Sequence, residues 1–230
     1  ETVVADSAGK VVGKSLLAYF FPRSYPPYVC LVRRRHELTC DGSAACQGVF
    51  MEYYYDLFGN ITYKYEHGSL PLQGDERTTV KGYQPNEAAY IIGAASYEAV
   101  YTGVGTGRGL ARYTKFCYDE DNQICTSPPK RGLLTAVKVW NGQTGAYHTA
   151  SYQYDGYANI REFSDPNGSV TRVTHDDVYH LYPVSFCNTL NQCLTLHWDF
   201  TLGRMKYYVD ANNNWRDWTL YDKLGRVHSV

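Results

Sequence analysis

From Tyr152 onward, a turn-opening aspartate or asparagine returns about every eleven residues. The positions are Asp155, Asp165, Asp176, Asn188, Asp199, Asp210 and Asp222, at spacings of 10, 11, 12, 11, 11 and 12. Such a side chain accepts hydrogen bonds from backbone N–H groups two residues on, which favours a turn over continued strand. Between the turns lie short runs: Ser169–Thr174, Tyr182–Phe186, Leu194–Trp198, Met205–Val209 and Trp215–Tyr221. Each is long enough for one strand and too short for a typical helix. A chain bent back at this interval is all-β, and the fixed period implies repeating units in which each covers the edge of the next.

The unit is clearest at Tyr152–Thr171. Tyr152 and Tyr154 are two apart and share a face in an extended chain. Asp155 ends that strand, and Asp165-Pro166-Asn167-Gly168 fits a type I turn, with Asp at the first position, Pro at the second and Gly at the fourth. The pattern Y-D-x-x-(G/A)-(N/R)-(I/V) occurs three times. It begins at Tyr55-Asp56 with Gly59, at Tyr154-Asp155 with Ala158, and at Tyr221-Asp222 with Gly225. Ala158 stands where glycine is expected, so a different turn is expected there. Asn191 and Asn213 sit where positive φ is useful, and asparagine tolerates that region.

The rest of the chain is less regular. Residues 1–39 read as strands with loops, and Arg33-Arg34-Arg35-His36 as a solvated strand end, with an anion-binding patch as the alternative. Thr78–Tyr83 is a strand. Ala88–Ala95 reads equally as a short helix or a strand. Gly103-x-Gly105-x-Gly107-x-Gly109 has no Lys-Ser/Thr after it and reads as a loop rather than a phosphate cradle. Twenty-three tyrosines stand against 8 phenylalanines and 2 methionines, and the mean hydropathy is −0.43. An apolar ring with a polar tip suits sheets that are amphipathic on both faces over a small core. The formal net charge of −1 supplies no global field for nucleic acid or a membrane surface. No apolar run reaches the length of a membrane-spanning helix; Leu16–Phe21 stops at Pro22. The N-terminus shows no basic segment followed by an apolar one, so no leader is expected within it.

Six of the 7 cysteines fall into close pairs: Cys40 with Cys46, Cys117 with Cys125, and Cys187 with Cys193. Each pair brackets a polar, turn-forming stretch, so each reads as a disulfide across the neck of a hairpin, contributing about 2 kcal/mol in the chain-entropy model. Zinc needs C-x2-C-type spacing with further ligands, which these pairs lack; buried free thiols are the other alternative. Cys30 is left over and is expected to be buried in a strand. Disulfides imply an oxidising compartment, so the protein is expected to be secreted or at the cell surface.

Candidate chemistry is sparse. His175-Asp176-Asp177 with His180 reads as a variant turn, and Asp119-Glu120-Asp121-Asn122 as a solvated hairpin tip rather than a calcium loop. Neither G-x-S-x-G nor H-E-x-x-H occurs. No catalytic residue, metal site or cofactor is expected. Trp198, Trp215 and Trp218 are the candidate surface for a glycan or protein partner, against the commoner use of such rings in cross-strand ladders.

The Y-D-x-x-G-(N/R)-(I/V) units at 55–61 and 221–227, and the variant at 154–160, resemble the YD repeats of the Rhs superfamily. Asp165-Pro166-Asn167-Gly168-Ser169-Val170-Thr171 resembles the segment between such repeats. Gly74–Thr79 with Asn86–Gly93, and Tyr182–Ser185 with Asn188-x-Leu190-x-Gln192, are similar to the Rhs-like region of the B components of insecticidal toxin complexes and related virulence proteins. The resemblance covers roughly residues 50–230; residues 1–49 form a strand-rich segment continuous with them. It implies antiparallel β-hairpin repeats wound into a spiral, shell-like sheet. The implied role is a non-enzymatic, extracellular structural wall or fibre that associates by its strand edges, with other copies or the rest of a larger Rhs-type chain as partner. An adhesion or glycan-binding module, and a fragment of a toxin-enclosing cocoon, are the alternatives. The paired hairpin cysteines depart from the bacterial shells, and the self-cleaving terminal segment of Rhs proteins is not seen here.

Overall fold

Among the described residues, sixteen strands follow one another in chain order, each hydrogen-bonded to the strands before and after it in sequence. They are β1 (Thr2–Ala5), β2 (Val11–Phe20), β3 (Leu31–Cys40), β4 (Cys46–Tyr55), β5 (Ile61–Leu70), β6 (Arg77–Tyr83), β7 (Ala95–Thr102) and β8 (Leu110–Tyr118). The second half holds β9 (Leu134–Asn141), β10 (Ala146–Tyr154), β11 (Ile160–Ser164), β12 (Val170–His175), β13 (Pro183–Asn188), β14 (Cys193–Asp199), β15 (Arg204–Val209) and β16 (Trp215–Asp217). The computed structural model describes residues 1–22, 29–40, 46–70, 74–107, 109–119, 125, 127–217, 221–222 and 224–226. All pairings are antiparallel, and the strands make one open sheet. Even-numbered strands end at one rim and odd-numbered strands end at the other. The first is called the tyrosine rim below, the second the far rim.

The strands expected from the eleven-residue cadence are present within a residue or two, from β12 to the start of β16. Two expectations change. Ala88–Ala95 is neither helix nor continuous strand: residues 87–90 form a turn closed by Asn86 and Ile91, and β7 starts only at Ala95. Cys30 lies outside the strands, just before β3, and is exposed rather than buried. Leu31 opens the ladder with β2, so the thiol falls one residue short of the packed sheet.

Register decides what each face carries, because residues paired across an antiparallel ladder share a face. One face is lined with tyrosine. Tyr54 pairs with Tyr63 and Glu52 with Tyr65; Thr78 pairs with Tyr101, Gly82 with Tyr97, and Ala99 with Tyr113. Trp140 with Tyr147 and His197 with Tyr207 continue it. The rings meet edge-on or stacked: Tyr54 lies 5.5 Å from Tyr65, and Tyr97 5.8 Å from Tyr113. The bare Gly82 makes room for the Tyr97 ring, one carbon of which lies 2.1 Å from where a Cβ would sit. The other face is charged in β5–β7, where Lys64, Glu66, Arg77, Lys81 and Glu98 form ion pairs. In β9–β15 it turns apolar, through Val137, Phe163, Val173, Phe186, Leu196 and Tyr208.

The buried centre is small and sits in β6–β9. It comprises Val80, Ala99, Cys117 and Ala136, with Cys125 packed on the last two. Thr78 and Thr135 are buried beside them and satisfied: the Thr78 hydroxyl donates to the Gly103 carbonyl at 2.9 Å, and the Thr135 hydroxyl to that of Cys117 at 3.2 Å. The accessible surface is 15238 Å². A compact chain of this mass would expose about 10,600 Å². The sheet is therefore a single layer, with no second sheet or helix over either face among the described residues.

All three cysteine pairs are disulfides: Cys40–Cys46, Cys117–Cys125 and Cys187–Cys193. Two of them join residues directly opposite in a hairpin, as expected for neck clips. A non-reducing peptide map is expected to return these three links and no other, with Cys30 alkylated under native conditions. Reduction is expected to lower stability by about 2 kcal/mol per clip. Protection of Cys30 from alkylation in the folded protein would contradict the placement before β3.

Candidate functional site

The recurring element is a corner, and its construction explains the Tyr-Asp dipeptide. Seven hairpin corners among the described residues are built alike, opening at Asp6, Asp56, Asp155, Asp165, Asn188, Asp210 and Asp222. At Asp155, the first residue's N–H donates to the fifth residue's carbonyl at 2.9 Å, and the fourth residue's N–H donates back to the Asp155 carbonyl at 3.2 Å. The carboxylate Oδ1 accepts the N–H groups of Tyr157 and Asn159, both at 2.9 Å. The same four bonds recur at the other six corners. This is a type I turn followed by a left-handed bulge residue. The bulge positions are Gly9, Gly59, Ala158, Gly168, Asn191, Asn213 and Gly225, all at positive φ.

The expectation of a different turn at Ala158 is corrected: Ala158 adopts φ 69° and the corner is the same. The carboxylate bonds and the closing backbone pair outweigh the cost of an alanine in that region, roughly 1–2 kcal/mol. The fifth residue often reaches back as well. Asn60, Asn159 and Asn214 donate through Nδ2 to Oδ2 of their own aspartate, and Arg226 does so through Nε at 2.7 Å. Asn60 also donates to the Ile92 carbonyl at 2.8 Å, and Asn159 to that of His180 at 2.6 Å. One corner is thereby tied to the next along the tyrosine rim.

The residue before the corner does a second job. At the end of β4, β6, β8, β10 and β14 the ladder shifts register at Tyr55, Tyr83, Tyr118, Tyr154 and Trp198. Such a bulge re-aims a side chain. Each ring is turned back over the preceding strand, where its polar tip meets a carbonyl at that strand's start. Tyr55 donates to Val32, Tyr83 to Ile61, Tyr118 to Ala95 and Tyr154 to Leu134, at 2.6, 3.0, 3.0 and 2.7 Å. Tyr221 donates to Met205 at 3.1 Å, and the Trp198 indole to Pro183 at 2.8 Å. Partial burial pushes the Tyr55, Tyr83, Tyr118 and Tyr154 phenols above the ordinary tyrosine value, so they remain protonated donors.

Three wider corners, at Asp119, Asp176 and Asp199, use the same acid. Asp119, read from sequence as part of a solvated tip, accepts N–H groups from Arg131, Gly132 and Leu133 across the β8–β9 loop; Glu120, Asp121 and Asn122 lie outside the described residues. Asp176 opens a corner that runs to Tyr182 rather than ending at Tyr179. Desolvation pushes its carboxyl up, but the N–H groups of Tyr182, Tyr179, Leu181 and His180 more than offset that and hold it well below the usual range. Desolvation also opposes ionisation at Asp119 and Asp155 and is likewise outweighed by hydrogen bonds. Asp199 is lowered by the Leu202 N–H, Asp210 by the Asn214 side chain, and Asp222 by the Arg226 N–H and guanidinium. His180 stacks on Tyr157 with ring centres 3.8 Å apart. Among the described residues, no three histidine, cysteine or acidic side chains are placed to hold a metal.

Trp198 and Trp215 do not share one strip. Trp198 sits at the tyrosine rim with its N–H engaged, while Trp215 begins β16 at the far rim and is exposed. Trp218 lies outside the described residues. A cleft of about 430 Å³ lies between the β8–β9 loop and the β10–β11 corner, lined by Lys130, Arg131, Tyr152, Tyr154 and Arg161. The carboxylates at its wall, Asp119 and Asp155, are committed to their corners.

These features define a class: a single-layer antiparallel meander whose corners are pinned by aspartate and whose strand ends are latched by tyrosine. No protein-family model and no curated protein sequence matches the chain. Solved structures of TcdB2-TccC3 complexes share its fold. The TcdB2-TccC3 structure without the hypervariable C-terminal region superposes with a TM-score of 0.70 at 12% identity, over 97% of this chain. TcdB2-TccC3-Cdc42 gives 0.68 at 12% identity over 96%, and TcdB2-TccC3-TEV gives 0.65 at 13% over 96%. This chain spans 15% of the length of each of those chains.

Removing one latch leaves its carbonyl unpaired in a half-buried position. Tyr118→Phe or Tyr154→Phe is therefore expected to cost about 1 kcal/mol in urea unfolding, while Tyr157→Phe, whose hydroxyl latches no strand, is expected to cost nothing measurable. Asp119, Asp155, Asp176, Asp199, Asp210 and Asp222 set the pH profile. Their folded values lie below the unfolded value of about 3.9, so their stabilisation is fully present above about pH 4. It is lost as pH falls through the depressed folded values. Unfolding midpoints in urea are expected to be flat through these groups from pH 7 down to about 4 and to drop steeply below it; a protein equally stable at pH 2 and pH 7 would contradict the assignment.

Proposed function

We propose that this chain is a length of non-enzymatic, extracellular wall. The observation that carries this reading is the single-layer sheet, whose accessible surface exceeds that of a compact protein of equal mass by nearly half. A catalytic domain builds a pocket over a core; in this chain the recurring aspartate and tyrosine polar groups are engaged in corners and latches. Among the described residues the outermost strands are β1 and β16, and all four residues of β1 are exposed. An edge with free N–H and C=O groups is a template for another strand. In the wall, β1 and β16 pair with further sheet, either the rest of a longer chain of the Rhs/YD-repeat kind or other copies. The three disulfides support the extracellular setting.

A second reading, that the wall encloses a cargo, is favoured by the fold shared with TcdB2-TccC3 complexes and by the 15% of their chains that this one spans. A glycan-binding role through the tryptophans is disfavoured by the engagement of Trp198.

The wall reading is tested by sedimentation velocity over a range of concentrations. The wild-type chain is expected to associate in an open-ended series, because edge-to-edge addition does not close. Val3→Lys with Val4→Lys, which places two charges on β1, is expected to stop that series. A wild-type chain that never grows beyond a closed species would count against strand-edge assembly.

A further inference from the structure

The cleft between the β8–β9 loop and the β10–β11 corner gathers three cations. Lys130 and Arg131 stand on its first wall and Arg161 on its second. Three carboxylates lie close to them, and each is committed elsewhere. Both oxygens of Asp119 accept backbone N–H groups, from Lys130, Arg131, Gly132 and Leu133. Asp155 accepts the N–H groups of Tyr157 and Asn159 through Oδ1 and the Asn159 side-chain amide through Oδ2. Glu162, next to Arg161 in the chain, pairs with Arg172 at 3.2 Å and accepts the Gln153 side-chain amide. Among the described residues, Lys130, Arg131 and Arg161 enter no ion pair.

Three cations on the two walls of one cleft repel one another and favour an anion between them. Arg161 is positioned for this role. Its Nη2 donates to Gln153 Oε1 at 3.0 Å, which leaves its other N–H groups for the cleft. A guanidinium fork matches the oxygens of a carboxylate, sulfate or phosphate, and lysine adds a point charge to the same group. The rest of the lining decides what carries the anion. Leu133 is its one aliphatic side chain, while Tyr152 and Tyr154 bring rings and Gln153 an amide. The Tyr154 hydroxyl is taken by its latch; that of Tyr152 latches no strand. An apolar ligand would leave these polar groups without partners. A hydroxylated ring can bond to them and lay its C–H face on a tyrosine. The volume of about 430 Å³ lies within the range of small-molecule sites.

We propose that this cleft binds an acidic saccharide, one or two sugar rings bearing a carboxylate, sulfate or phosphate. The oxyanion sits between Lys130, Arg131 and Arg161, and the ring lies against Tyr152. A neutral sugar lacks the anion and a bare inorganic anion lacks the ring, so neither uses both halves of the site. A polynucleotide is disfavoured by the formal net charge of −1. The site is separate from β1 and β16 and does not depend on whether copies of the chain associate by their edges.

The test is a ligand-observed NMR titration of the 230-residue chain with D-glucuronate, D-glucose 6-phosphate, D-glucose and inorganic phosphate. At least one of the two acidic sugars is expected to bind with a Kd of about 1 mM or tighter, and glucose and inorganic phosphate at least about tenfold more weakly. Arg161→Gln, and separately Lys130→Gln with Arg131→Gln, are each expected to weaken the acidic sugar at least about tenfold. Lys10→Gln, which removes a cation from an exposed far-rim corner, is expected to leave binding unchanged. Unchanged circular dichroism and intact disulfides establish that the variants fold. Should a cleft variant not fold, the wild type decides: bound sugar is expected to slow acetylation of Lys130 and leave that of Lys10 unaltered. No binding of either acidic sugar, binding undiminished in the cleft variants, no protection of Lys130, or inorganic phosphate bound as tightly as the sugars overturns the proposal.

Discussion

The hydrogen bonds from backbone N–H groups to the corner carboxylates carry this structure. A hairpin corner leaves several N–H groups pointing inward, and in a single layer no packed core surrounds them. At Asp6, Asp56, Asp155, Asp165, Asp210 and Asp222 one carboxylate oxygen takes two of those donors, and the backbone closes the rest. Asn188 does the same with an amide oxygen. A corner so closed fixes the register of both strands, and a fixed register decides which face each tyrosine takes.

The tyrosine latch follows from the corner. The bulge that lets a three-residue turn close also breaks the ladder at the last residue of the strand. The ladder to the preceding strand stops two residues short of the acceptor carbonyl near that strand's start, and the re-aimed ring delivers a hydroxyl to it. Tyr-Asp is thus one device with two bonds, one across the turn and one back across the sheet. Trp198-Asp199 does the same with an indole N–H, which is why a tryptophan that looked available for a ligand is structural.

Much of this was legible in the sequence. The corner positions from Asp155 to Asp222 follow from side-chain chemistry within four residues, and so do the clips at Cys40–Cys46 and Cys187–Cys193. What was not legible depends on distant partners. The Tyr118 hydroxyl bonds a carbonyl 23 residues away, and nothing local marks the acceptor. Tyr118-Asp119 was in plain sight as a Tyr-Asp pair, but the acidic run after it suggested a solvated tip. The corner at Asp176 widens to Tyr182 because five N–H groups converge on one carboxylate, a geometry no spacing rule gives. Ala158 misled because the usual preference for glycine is a local cost, and the bonds around it are worth more.

The most direct measurement is site-resolved amide hydrogen exchange at neutral pH. If the carboxylates hold the corners, the amides of Asn60, Asn159, Ser169 and Asn214 will be protected as strongly as ladder amides in the adjoining strands, although they sit at exposed turns. Exchange of those four amides at the rate of open loops, with the strands still protected, would contradict the claim that the corners are pinned and that a single layer of sheet stands because of it.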